Sequence, residues 1–155
     1  MKHPVRNTIL IIIVLFVAVI QFFPVDNSNP QTDPSKDFMV VKNPSRKITA
    51  MIKTSCYDCH SYKTRYPWYS DIAPFSWLLE SHIRRGREHL NFSEFADYSR
   101  DESNHAIEEM KEVIDNNEMP LKSYVLIHKK ARLTEEMRGN LSGWLSSGKN
   151  EIQEP

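Results

Sequence analysis

The sequence predicts an all-α fold, a small helical domain standing behind an apolar N-terminal helix and a proline-rich segment. Three observations carry that expectation. Apolar residues recur at three- and four-residue steps in separate stretches, as in Ile48, Ile52 and Cys56, or Ile107, Met110, Val113 and Ile114, or Met137, Leu141, Trp144 and Leu145, which is the period of one helix face. Residues suited to helix ends stand where those stretches start and stop: Pro44, Pro74 and Thr134 at beginnings, Gly148 at an end. No strand-helix-strand pattern surrounds them. At 155 residues the chain reads as one domain, and without its apolar head about 110 to 130 residues remain, enough for three to five packed helices.

Charge excludes some partners. Lys plus Arg and Asp plus Glu both number 20, so there is no basic field for nucleic acid and no strongly acidic one. Lys2 and Arg6 precede the apolar run with no acid near them, and 18 basic residues against 20 acidic follow it.

Taken in order, residues 1–23 read as a membrane anchor. Thr8 to Phe23 is a run of sixteen residues without charge, long for a signal-peptide core and short for a full span of about 20. No small-residue cleavage pattern follows, which favours an uncleaved, single-pass anchor; the alternative is a removed secretory peptide. Basic residues before the run put the N-terminus in the cytoplasm and the remainder on the exported side. Residues 24–43, with Pro24, Pro30 and Pro34 and the polar run Asp26-Asn27-Ser28-Asn29, read as a linker, with Phe38 to Val41 its one apolar patch. The globular domain is expected over 44–148, and 149–155 as a polar tail.

Within the domain, a first helix over Pro44–Ser55 runs into Cys56-Tyr57-Asp58-Cys59-His60, which holds the only two cysteines of the chain. On a helical turn Cys56 and Cys59 share a face, and His60 lies on nearly the same side. Two thiols able to add across haem vinyl groups, with an imidazole beside them to bind iron, are what covalent c-type haem attachment requires. Three other readings compete. A thioredoxin-like redox pair wants a βαβ context that is missing, structural zinc wants a second ligand pair, and a disulfide closing so short a loop would stabilise little.

The aromatic stretch Ser61 to Pro74 reads as an ordered loop. Tyr66, Trp68 and Tyr69, with Trp77 and Tyr124 beyond it, are candidates for the wall of a flat ligand, and Lys63 or Arg65 for facing a haem propionate. A second helix spans Pro74–Leu90, with Phe75, Leu78, Leu79, His82 and Ile83 along one stripe and Gly86 as a weak point. A third spans Asp101–Asn117, with Met110 in its core stripe. Met119, in the loop before Pro120, is placed by an extended backbone to approach the open side of the iron. Ser123–Leu133 reads as a short helix or turn, and the final helix, from Thr134 to Gly148, should pack across the first.

These pieces resemble a known family. A helix leading into Cys56–His60, a loop methionine about 60 residues on and a C-terminal helix with a buried Trp look like a class I cytochrome c. More narrowly, Tyr66-Pro67-Trp68-Tyr69-Ser70, Ile72-Ala73-Pro74, Ser76-Trp77, Gly86-Arg87, Leu90 to Glu94, Met119-Pro120 and Ser123-Tyr124 followed by His128, in that order behind the cysteine motif, resemble the small bacterial proteins of the haem-binding domain family. The resemblance spans roughly 44–147 and implies an exported, membrane-tethered protein of the bacterial inner membrane with one haem.

The expected cofactor is therefore one haem c, bonded through Cys56 and Cys59, with His60 as proximal ligand and Met119 as distal ligand. His128 is the first alternative to Met119, and His82, His89 and His105 follow. The expected work is one-electron exchange with redox partner proteins, an electron carrier rather than an enzyme. An empty sixth position would instead suit peroxide reduction or gas sensing, and a chain without haem would be a thiol module.

Overall fold

A computed structural model describes residues 4–147, and among these every regular element is helical. Helix α1 (Pro4–Ile20) leads, followed after an extended stretch by α2 (Phe38–Lys42), α3 (Arg46–Ser55), the single turn α4 (Tyr57–His60), α5 (Phe75–His89), α6 (Arg100–Asp115), α7 (Lys122–Ile127) and α8 (Glu135–Ser147). Short 3-10 turns at Trp68–Asp71 and Phe92–Asp97 link the middle elements. Lys2, Gly148 and the tail expected at 149–155 lie outside the described residues.

Side chains of α1 are exposed from Val5 to Val19 and apolar all round from Ile9 onward, after Arg6, Asn7 and Thr8 in the first turns, with Ile20 the first to be buried. Its 17 residues rise about 25 Å at the usual 1.5 Å each, less than the ~30 Å of a bilayer's hydrocarbon. Among the described residues no helix is long and apolar enough to cross a membrane.

The stretch expected to be a linker is packed. Phe38 is fully buried and central, its ring 5.0 Å from Phe92, 4.7 Å from Phe95 and 6.0 Å from Trp144. Asp37 caps α2 by accepting from the Met39 amide, accepts from the Tyr57 hydroxyl at 2.6 Å and pairs with Lys63. The five-residue α2 is too short to stand alone, so these tertiary contacts, which no local pattern announces, make it.

Helix α3 starts two residues later than the expected Pro44, because Ser45 supplies the N-cap. Ile48, Met51 and Ile52 point inward, and α8 lies across α3 and α6, as the apolar stripes predict. Leu141 and Leu145 fill that contact, and Thr134 caps α8 through the Met137 amide. Ser99 and Glu102 close a capping box on α6, whose Ile107, Met110 and Ile114 join Phe38, Phe92 and Phe95 in one core. Removing the aromatic centre would cost several kcal/mol.

Candidate functional site

The cysteine motif sits at a break. Cys56 ends α3 with a φ of −126° and begins α4, yet its carbonyl still accepts from the amides of Cys59 at 3.2 Å and His60 at 3.0 Å. The turn is thus closed around its own backbone. Both thiols are unbridged and half-buried. Burial, with the neighbouring Cys59, pushes the Cys56 thiol up to about 12. Burial, with the Asp58 charge, pushes Cys59 up to about 11.

His60 is oriented from across the fold. Its Nδ1 lies 3.1 Å from the carbonyl of Leu90, at the end of α5. A carbonyl only accepts, so the proton resides on Nδ1 and the lone pair on Nε2, the arrangement of a ligating histidine. Burial lowers the imidazole's pKa, and the Leu90 and Gly86 carbonyls oppose this only in part. The ring therefore stays neutral.

Helix α5 meets the motif at Gly86, where an added Cβ would fall 2.7 Å from the carbonyl oxygen of Cys59. The residue that weakens the helix pattern is the one that lets two backbones touch.

A narrow crevice beside Cys59 collects Tyr69, Leu79, Tyr124 and His128. The Tyr69 hydroxyl and His128 Nε2 are hydrogen-bonded at 2.8 Å, and the His128 ring stacks on Tyr124 with centroids 4.4 Å apart. Tyr124 donates to Asp58 at 2.6 Å, and Arg65 donates to the same carboxylate from Nε and Nη2, each at 3.1 Å. Asp58, inside the motif, thereby ties α7 and the aromatic loop to α4. Arg65 and Lys63, candidates for a propionate, are instead engaged by Asp58 and Asp37.

The expected wall residues divide. Tyr69 and Tyr124 stand beside Cys59. Trp68 lies edge-on to Tyr69 and is 80% exposed. Tyr66 lines a different concavity of about 400 Å³ against α5 and donates to the Ser28 carbonyl. Trp77 donates to the Phe23 carbonyl at 2.9 Å. Pro67 and the 3-10 turn after it separate Tyr66 from Tyr69, and this turn is too short to leave a period in the sequence.

Met119 is half-buried in a loop held by its backbone, its amide donating to Val113 and its carbonyl accepting from Arg138 at 2.9 Å. It does not line the crevice beside Cys59, and His128 does. His105 faces out toward Glu109, His89 is exposed and His82 half-buried.

The donor set fits a haem. Two neutral thiols on one turn, an imidazole whose Nδ1 is engaged by the Leu90 carbonyl, and the exposed apolar Leu78 and Ile127, next along the chain to the crevice residues Leu79 and His128, suit a flat apolar group that brings its own iron. Among the described residues no group of three or more His, Cys, Asp or Glu could hold a bare metal ion, whereas haem iron asks the protein for at most two ligands. A model of the haem-binding domain matches residues 15–147. The chain belongs to the haem-binding domain family. That match begins inside α1 and ends at the last residue of α8, so the packed segment around Phe38 falls within the haem-binding domain. Comparison with curated proteins and with solved structures gave no match.

Proposed function

We propose that this haem-binding domain is a c-type cytochrome that carries single electrons, tethered by its N-terminal segment on the exported side of a membrane. One haem is bonded by thioethers to Cys56 and Cys59, with His60 as proximal ligand and Met119 as distal ligand. The observation that carries the reading is the pairing of two unbridged thiols on one turn with an imidazole whose Nδ1 is engaged by Leu90. The bound haem supplies a one-electron couple. The chain's own part is to hold the imidazole neutral, to keep Asp58 bound to Tyr124 and Arg65 beside the motif, and to limit water around the ring. For the tether, support comes from the uncharged, exposed Ile9–Val19 stretch of α1, with Phe22 and Phe23 extending the apolar run beyond the helix.

The test is a pyridine haemochrome assay and an intact mass on protein matured with a cytochrome c assembly system. One haem per chain, lost in Cys56→Ala/Cys59→Ala, is the expected result; a colourless chain of bare polypeptide mass overturns the reading. One observation favours a second distal ligand. His128 borders the crevice beside Cys59, and if its imidazole were freed from Tyr69 it would provide bis-histidine ligation at a lower potential.

A further inference from the structure

The apolar helix and the haem-binding domain are joined without slack. Gln21, one residue past α1, accepts from the Ala73 amide at 3.1 Å and donates to the Ala73 carbonyl at 3.0 Å, while Trp77 donates to the Phe23 carbonyl at 2.9 Å. Further along, Asn27 donates to the Ser70 carbonyl, Asn29 exchanges hydrogen bonds with Thr64, and Thr32 donates to the Ser93 carbonyl. From residue 21 to Phe38 the chain is stitched down, so it has none of the reach of a flexible linker.

Around this joint lies a ring of exposed apolar side chains: Phe22 at 83%, Phe23 at 63%, Phe75 at 58%, Ile72 at 40% and Trp77 at 37%. Each is within two residues of Gln21, Ala73 or Trp77, or is Trp77 itself. Trp settles at the headgroup level of a bilayer, and exposed Phe and aliphatic side chains beside it enter the boundary between headgroups and acyl chains.

We propose that the domain is seated directly on the bilayer that receives α1, with Phe22, Phe23, Ile72, Phe75 and Trp77 in the headgroup layer. This rests on α1 entering a membrane. The occupant is the lipid surface because the ring is continuous with α1 and the hydrogen bonds leave no room to swing it elsewhere. The separation of the motif from that ring is then fixed by α5: Gly86, which touches Cys59, is eleven residues along the helix from Phe75, or roughly 17 Å at 1.5 Å per residue. Such a domain exchanges electrons with a partner embedded in or lying on the same membrane.

The full chain, reconstituted in phosphatidylcholine–phosphatidylglycerol vesicles doped with a phospholipid bearing a photoactivatable diazirine in its headgroup, is irradiated, digested and mapped by mass spectrometry. Lipid adducts are expected on Phe22–Phe23 and on peptides covering 72–77. Co-flotation with vesicles but no adducts over 72–77 overturns the seating and leaves the membrane reading intact; failure to co-float removes both. In Gln21→Ala/Trp77→Phe the 72–77 adducts should fall several-fold while the chain still floats, and unchanged adducts would overturn the role given to the joint.

Discussion

Gly86 of α5 and Cys59 of the cysteine motif meet backbone to backbone, the carbonyl oxygen of Cys59 lying 2.7 Å from where the Cβ of a side chain at residue 86 would stand. Gly86→Ala gains helix propensity but forces α4 and α5 apart. The expected net loss is about 1–3 kcal/mol, read as a lower denaturation midpoint, with reduced haem incorporation because the His60–Leu90 contact lies on the same helix end. A Gly86→Ala protein as stable as wild type would show the contact to be unimportant.

Replacing Met119 and His128 separately distinguishes the two candidates for distal ligand. With Met119 bound, the ferric protein shows the weak long-wavelength band of thioether ligation, and Met119→Ala abolishes it while His128→Ala preserves it. The opposite pattern would transfer the role to His128, whose hydrogen bond to Tyr69 and stacking on Tyr124 already hold it beside Cys59.

Phe38→Ala should behave as a core deletion. The ring is fully buried among Phe92, Phe95 and Trp144, so truncation is expected to cost about 3–5 kcal/mol, measured by urea unfolding. A true linker position would lose less than about 0.5 kcal/mol.

Asp37 makes the fold sensitive to acid. Burial raises its pKa, but hydrogen bonds from Lys63, Tyr57 and the Met39 amide outweigh this and hold the carboxyl below its ordinary range. An unfolded chain binds that proton first, so the contribution is complete above about pH 4 and disappears as pH falls through the lower folded value. Asp37→Asn should be less stable than wild type at pH 7 by roughly 1–3 kcal/mol, and the gap should close as the pH is taken well below 4. A gap independent of pH would place the loss in the cap alone.

Periodicity made α3, α5, α6 and α8 legible because each is long enough to repeat its apolar face, and Thr134 marked the start of α8; the Ser99–Glu102 box that begins α6 emerged only in the structure. The motif was legible because its residues are contiguous. Phe38 was not: α2 has five residues, and its burial depends on Tyr57, Lys63 and Phe92, far along the chain. The same holds for the Leu90 carbonyl that orients His60, since a backbone acceptor thirty residues away leaves no mark in residue type. Tyr66 and Tyr69 look alike in sequence, yet the turn at Trp68–Asp71 sends them to separate concavities. Gly86 carried a signal, a helix-weakening residue inside a helix, whose sense emerged only with its neighbour.

The suppressed acidity of the two thiols affects the life of the newly folded chain. Disulfides form through thiolates, and burial that pushes both thiols up leaves a far smaller thiolate fraction at neutral pH than an ordinary cysteine has. If the chain works on the exported side of a membrane, as proposed above, a folded chain awaiting its cofactor would thereby be shielded from premature oxidation, and the vulnerable interval would be the time before α4 closes.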